Sequence, residues 1–177
     1  MSAFYGFVTL CLFGIALAKL RPGVCPEIKT MPDFEIENFF GRWFQAKRYF
    51  RKVERHDKCV MADYALRNDG NRLIFRTGKS SSVKGSLLQP SPYKPGKLKM
   101  KFPEISVNEN YWILGTDYEN YAVIYTCKNV EPDQYAWILT REQNPSESAI
   151  KRALAVATKH NVDTKPFINT DQTHCIV

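Results

Sequence analysis

Residues Tyr111 to Cys127, YWILGTDYENYAVIYTC, constrain the fold of this 177-residue chain more than any other stretch. Two apolar runs rich in β-branched and aromatic side chains, Tyr111–Thr116 and Tyr121–Cys127, flank the polar cluster Asp117, Tyr118, Glu119 and Asn120. That is the pattern of a β-hairpin. The cluster lacks Asn-Gly and Asp-Gly, so the turn's place is read and its type is not. Along the second run Tyr121, Val123 and Tyr125 point one way and Ala122, Ile124 and Thr126 the other. A strand with one solvated face alternates apolar and polar, so these strands are expected to be covered on both sides. One cover is a barrel interior, and the other is a helix.

Residues 4–18, FYGFVTLCLFGIALA, are apolar and end in Ala16-Leu17-Ala18, a small-x-small cleavage pattern. The run is short for a bilayer span, and no basic stop-transfer cluster follows it. The few residues before it carry no Lys or Arg. The reading is a signal peptide over residues 1–18, leaving 19–177 as one exported domain with enough chain for a sizeable core. Cys11 leaves with the signal, and Cys25, Cys59, Cys127 and Cys175 remain. An even number in an exported chain suggests two disulfides with three possible connectivities. One cysteine lies in each terminal segment and two lie in expected strands, so tying each terminus to the barrel is the simplest arrangement. No C-x-x-C occurs, which argues against a zinc knuckle or a redox motif.

From Gly41 onward the chain reads as short strands: Gly41–Phe50, Lys58–Leu66, Arg72–Thr77, Ser82–Leu88, Lys97–Phe102, Tyr111–Thr116, Tyr121–Cys127 and Tyr135–Thr140. Asn68-Asp69-Gly70-Asn71 separates the second from the third, and a Pro-rich stretch from Pro90 to Gly96 separates the fourth from the fifth. Eight strands at this spacing predict an all-β antiparallel barrel or sandwich. In Lys97–Phe102 a period of two sends Leu98, Met100 and Phe102 inward and three lysines into solvent. One helix follows the last strand. Asn144 is placed as its cap, Pro145 at the first helical position and Glu147 in an Asn-x-x-Glu arrangement. Ile150, Ala153, Leu154 and Ala157 share one face, Asn161 ends the helix, and Val162–Val177 reads as an extended tail.

Three local signals occur in order: Gly41-Arg42-Trp43 opening the first strand, Thr116-Asp117-Tyr118 ending the sixth, and Arg141 after the eighth. With eight strands and one late helix, the chain resembles the lipocalin family over essentially all of residues 19–177. YWILGTDYENYAVIYTC, YAWILTR and the four cysteines are most similar to the apolipoprotein D group and its arthropod relatives, including the bilin-binding proteins. The resemblance implies an eight-stranded antiparallel up-and-down β-barrel with one C-terminal α-helix packed outside. It also implies the pairs Cys25–Cys127 and Cys59–Cys175, and Trp43 against Arg141 at the closed end, a cation–π contact. Gly41, Trp43, Thr116, Asp117, Tyr118 and Arg141 are therefore given structural work and are not counted as ligand contacts.

An eight-stranded barrel is just wide enough to hold one small ligand. If Arg141 and Trp43 meet at the base, parity puts Trp137 and Leu139 on the inward face. The resemblance puts Tyr64 inward, and Val60 and Ala62 with it. Leu98, Met100 and Phe102 complete an apolar wall, joined by Tyr111, and Trp137 is the leading single candidate. Without the resemblance these side chains would be read as filling the barrel. With it, they suit a hydrophobic ligand carrying one or two polar groups.

Net charge is +7 and uneven, with seven Lys/Arg between Arg42 and Lys58 against Glu54 and Asp57. Arg51, Lys52, Arg55 and His56 fall in the loop that borders the open mouth in lipocalins. A basic rim there favours carboxylate-bearing ligands, or an anionic membrane surface or receptor. Nucleic acid is disfavoured, since no groove-reading motif is present. No enzyme is read: a catalytic cysteine needs a free thiolate, and His56, His160 and His174 are scattered without carboxylates at metal or triad spacing. Asn144-Pro145-Ser146 is blocked as a glycosylation acceptor by its proline. The function expected is secreted carriage of a fatty acid, retinoid, sterol or similar lipid with an acidic group, requiring no cofactor. Two alternatives stand beside it: a biliverdin-type pigment carrier, and an interaction protein with a filled barrel acting through its basic loops.

Overall fold

The computed structural model describes residues 25–67, 70–76, 82–128 and 133–175. The expected signal peptide, residues 1–18, lies outside them, as do the turn residues Asn68 and Asp69 and the end of the third expected strand, Thr77. Eight antiparallel strands form the body: β1 (Gly41–Tyr49), β2 (Met61–Arg67), β3 (Gly70–Arg76), β4 (Ser82–Leu88), β5 (Lys97–Phe102), β6 (Val107–Thr116), β7 (Tyr121–Cys127) and β8 (Gln134–Thr140). Each pairs with the next in sequence, and β1 pairs with both β2 and β8, so the ladder closes on itself. Closure removes the exposed sheet edges that a flat sheet would present.

β1 serves three neighbours along its two edges. Gly41–Phe44 face β2, while Phe44 to Arg48 face β8 across an irregularity at Ala46. The edge that β2 leaves free, Lys47–Tyr49, is taken by a ninth strand, β9 (Phe167–Asn169). The C-terminal tail was expected only to be extended. Its three strand residues are too few to show a period in sequence, and pairing is supplied by the free edge of β1. Thr170 N–H donates to Ala46 O at 3.0 Å, and the Cys59–Cys175 disulfide fixes the tail beyond it. The second disulfide, Cys25–Cys127, ties the N-terminal segment to the end of β7. The loops closed span 102 and 116 residues, lengths for which chain entropy gives about 4–5 kcal/mol each.

β6 begins at Val107, four residues before the expected Tyr111. Val107, Glu109 and Tyr111 continue one face of the strand, but the charge of Glu109 hides the period of two. In β7 the two faces separate as parity requires. Ala122 and Ile124 join the interior cluster, and Val123 and Tyr125 join an outer cluster beneath the helix α1 (Glu147–Lys159). The helix buries Ala149, Ala153 and Ala157, with Ile150, Leu154 and Val156 packed at the margins. Small residues let it lie close to the sheet. At Gly115 a Cβ would come within 2.9 Å of Val156, so that position needs glycine for space.

The cap of α1 is Ser146, not Asn144: its hydroxyl accepts from Ala149 N–H at 3.2 Å. Ser146 sits three residues before Ala149, the reach an N-cap side chain needs. Pro145 consequently lies outside the helix. Asn161, just past the end, adopts φ +58°, a conformation asparagine tolerates after a helix.

One guanidinium holds the closed end. Arg141 lies 3.9 Å from the Trp43 ring centroid. Its Nε donates to Tyr118 O at 2.8 Å, Nη1 to Arg42 O at 2.9 Å, and Nη2 to Phe40 O at 2.9 Å and Asn38 O at 3.2 Å. Gly41 has φ +99°, and a Cβ there would lie 3.0 Å from Arg141 Nη1. The β6–β7 turn is built by side chains. Thr116 Oγ1 accepts from Tyr118 N–H and donates to Tyr121 O, and Asp117 Oδ1 accepts from the backbone N–H of Asn120 and Tyr121. Burial works against the Asp117 charge, but those bonds, with Arg152, hold its pKa below the usual carboxylate range.

Two stability outcomes follow. Arg141→Ala is expected to cost about 2–4 kcal/mol, from the lost π contact and several stranded carbonyls, and Arg141→Lys should recover less than half. Urea unfolding midpoints measure both, and a loss near zero would show that the closed end is held by packing alone. Ser146→Ala should cost about 1 kcal/mol while Asn144→Ala stays near zero. The reverse order in thermal melts would return the cap to Asn144.

Candidate functional site

The interior of the barrel is not filled. A cavity of about 340 Å³ runs from the closed end toward the mouth, where the β1–β2 and β5–β6 connections meet. Its base is aromatic. Phe39, in a short 3₁₀ turn before β1, stacks on Trp43 with ring centroids 5.0 Å apart and meets Tyr64 edge-on at 4.9 Å. The Trp43 indole N–H donates to Phe39 O at 2.9 Å, which fixes the ring from below.

Of the expected ligand-facing residues, Val60, Ala62, Tyr64, Met100, Phe102, Tyr111, Trp137 and Leu139 lie on the cavity wall. Leu98 does not. It points inward and is fully buried in the interior cluster, but it does not border the open space. Trp43 corrects the sequence reading in the other direction: besides its structural contact with Arg141, it forms part of the wall. The remaining motif residues, Gly41, Thr116, Asp117, Tyr118 and Arg141, are absent from the wall.

Sequence reasoning missed Gln45, Met61, Val83, Val107, Ile105, Glu54 and Asp57 on the wall, while Arg51, read as part of the basic rim, does lie on it. Parity carried back from Tyr111 reaches Val107, and parity from Trp43 reaches Gln45, so those two carried a usable signal. Arg51, Glu54 and Asp57 belong to a connection, where no period applies.

Two polar groups of different character mark the ends of the cavity. Deep in the barrel, the Tyr64 and Tyr111 hydroxyls are 2.6 Å apart. The residues are 4% and 6% exposed. Burial pushes both phenols above the ordinary tyrosine pKa, and Tyr111 is raised further by Tyr64. Both are therefore neutral at physiological pH.

The mouth holds charges. Arg51 lies 3.2 Å from Glu54 and 3.4 Å from Glu109, with its guanidinium 4.4 Å from the Tyr135 ring centroid and 5.6 Å from that of Trp137. Lys128 reaches the same Glu109 oxygen at 2.7 Å. Arg48 is buried, donates to Glu54 O at 2.7 Å and lies 3.7 Å from the Glu54 carboxylate. Burial pushes Glu54 above the usual glutamate pKa, opposed by Arg51, Arg48 and a hydrogen bond with Trp137. The basic rim read from sequence is thus divided. Arg51 enters the mouth and is matched by carboxylates, while Lys52, Arg55 and His56 stay exposed.

Two larger concavities, of about 790 and 660 Å³, lie outside the barrel, one between α1 and the β9 tail and one beside residues 27–33. Polar side chains such as Lys47, Gln143, Asn144, Glu147 and Lys151 line much of the first, unlike the apolar enclosure expected of a small-molecule site. Among the described residues, no group of three or more His, Cys, Asp or Glu is placed to hold a metal ion.

Comparison with known proteins agrees with this architecture. The profile of the Lipocalin / cytosolic fatty-acid binding protein family matches residues 41–174. Apolipoprotein D of Macaca fascicularis is 31% identical over 93% of this chain and 91% of its own length. Insecticyanin-B of Manduca sexta is 31% identical over 93% of this chain and 89% of its own. The solved structure of insecticyanin from the tobacco hornworm Manduca sexta superposes with a TM-score of 0.74 at 28% identity, covering 85% of this chain and 87% of that one. Lobster apocrustacyanin A1 shares the fold, with a TM-score of 0.69 at 23% identity over 87% of this chain and 92% of that one. A profile match over most of its length, and relatives at this identity along nearly all of it, show that the chain belongs to the lipocalin / cytosolic fatty-acid binding protein family, a family of small-ligand carriers.

Proposed function

We propose that the chain is an exported carrier that holds a small hydrophobic ligand inside its barrel. The observation that carries this reading is the cavity itself: about 340 Å³ of space with walls of Trp43, Val60, Ala62, Met100, Phe102, Trp137 and Leu139. A filled barrel acting only through its loops does not leave such a space. Export is supported by the apolar run at 4–18 and by two disulfides, which persist in oxidising compartments. A thiolate mechanism in the cavity is disfavoured, because the four cysteines of residues 19–177 are paired.

Volume and charge narrow the ligand. The cavity lies at the low end of the roughly 300–1,000 Å³ that small-molecule sites occupy. That favours a lipid of retinoid, sterol or fatty-acyl size over a biliverdin-type tetrapyrrole, which would need the mouth displaced. An acidic group must approach Arg51, the guanidinium on the wall, and there it competes with Glu54 and Glu109 while Asp57 stands nearby. The geometry therefore supports a ligand whose polar part is uncharged ahead of a carboxylate. A ligand burying about 300 Å² of apolar surface gains roughly 7–8 kcal/mol at about 25 cal/mol per Å². This is close to a micromolar Kd before the costs of association.

Titration with a panel of retinoids, sterols, fatty acids and bilins, followed by tryptophan fluorescence, tests the reading. At least one lipid is expected to bind saturably with a stoichiometry of one. Trp137→Phe should remove most of the ligand-dependent signal and weaken binding by less than about tenfold. No binding across the panel would overturn the carrier reading, and a bilin bound tightest would replace it with the pigment carrier.

A further inference from the structure

The deep hydroxyl pair has one hydrogen more than its own bond uses. Two neutral phenols bring two O–H groups, and the 2.6 Å contact between Tyr64 and Tyr111 takes up one. Among the described residues, neither hydroxyl has another hydrogen-bond partner. Both residues are on the cavity wall and more than nine-tenths buried. A buried donor left without an acceptor is unfavourable, so a ligand that supplies one gains over a ligand that does not.

The surroundings say what kind of acceptor. The other wall groups at this end are apolar or already engaged: Trp43 donates to Phe39 O, and Phe39 closes the base. Arg141, the cation at this end, is not on the wall, and its guanidinium is held by the carbonyls of Tyr118, Arg42, Asn38 and Phe40. Arg141 opposes the rise in the Tyr64 pKa from behind the wall, but with its donors already engaged it offers a carboxylate at the phenols no contact, and burying that charge is costly. A hydrocarbon end would leave the O–H unpaired.

We propose that Tyr64 and Tyr111 form the recognition point for an uncharged oxygen, that of a ketone, aldehyde or alcohol, at the inner end of an otherwise apolar ligand. The proposal rests on the carrier reading and adds the ligand class and its orientation: oxygen inward at the base, apolar body along Met100, Phe102 and Leu139, and the far end toward Arg51 and Trp137. The pair's high pKa values keep the donor in place throughout the physiological range.

The test uses four probes of one straight chain length: a methyl ketone, a primary alcohol, a carboxylic acid and an alkane, each displacing a fluorescent hydrophobic reporter. The ketone and the alcohol are expected to bind about tenfold tighter than the alkane and the acid. In the double variant Tyr64→Phe/Tyr111→Phe, ketone affinity should fall about tenfold to the level of the alkane, with alkane affinity unchanged. Each single variant keeps one phenol with one O–H free to donate, so its ketone affinity should stay closer to that of the unaltered protein than to that of the double variant. Infrared spectroscopy of a carbon-13 carbonyl in the bound ketone gives a readout in the unaltered protein: a hydrogen-bonded carbonyl stretch at lowered frequency. An unshifted band, a ketone and alkane bound equally, or a double variant that weakens every probe alike would overturn the proposal and leave the pair as packing. If none of the four probes binds while another lipid does, the proposal falls and the carrier reading stands. If nothing binds at all, both fall.

Discussion

The contact on which the rest of the barrel depends is Arg141 over Trp43. A closed sheet must still be plugged at one end, and here the plug is a guanidinium rather than an apolar cap. Among the described residues, Arg141 has no carboxylate partner. Its charge is distributed over one π face and four backbone carbonyls, drawn from the 3₁₀ turn, β1 and the β6–β7 turn. Two chain segments distant in sequence, residues 38–43 and the β6–β7 turn, thereby share one planar fork, a geometry that lysine cannot reproduce. The same contact fixes Trp43, and through Phe39 it sets the position of Tyr64. The floor of the cavity is thus built outward from one side chain.

The opposite end follows a different rule. Glu54 and Glu109 face Arg48, Arg51 and Lys128 around the mouth. Within this group Arg48 Nε and Nη1, Glu54 Oε2 and Glu109 Oε2 are buried without a hydrogen-bond partner. Full pairing would need a geometry that the cluster does not reach, so these ions contribute position more than stability. An irregularity at Ala46 is what brings Arg48 into the group. Gln45 and Arg48, three residues apart, stand opposite Leu139 and Trp137, two neighbouring inward positions of β8.

That irregularity also marks the limit of what could be read from residues alone. Period two worked in several strands that kept their register, though β2 and β3, expected at Lys58–Leu66 and Arg72–Thr77, are Met61–Arg67 and Gly70–Arg76. Lys97–Phe102, Ser82–Leu88 and Tyr121–Cys127 have the bounds read for them, and the two faces of β7 are covered by the interior and by α1. It failed where a strand slipped or where its signal was charged. Arg48 looks like one more surface cation until the shift at Ala46 turns it inward, and Glu109 interrupts an apolar face that it in fact continues. Trp43 was assigned one task because its motif has one, yet an indole is large enough to touch Arg141 on one side and the cavity on the other. β9 depends on an edge left free by β2, a property of the closed ladder and not of Phe-Ile-Asn.

The same asymmetry explains why a chain of net charge +7 need not be an anion carrier. Charge on a sequence acts on a ligand only where it faces the cavity unpaired. Lys97, Lys99 and Lys101 alternate with the inward residues of β5, so they face away from the cavity, and Lys97 stacks on Trp112 outside it. Lys52 and Arg55 stay on the rim in solvent, where screening at physiological salt limits their reach to about 8 Å. Arg51 does enter, but with carboxylates already against it. At the closed end, what remains unpaired is a neutral phenol donor set in an aromatic floor, and interior polarity is strongest where water is excluded. In the carrier proposed above, selectivity would therefore be decided at the closed end of the barrel, and not by the basic residues that face solvent.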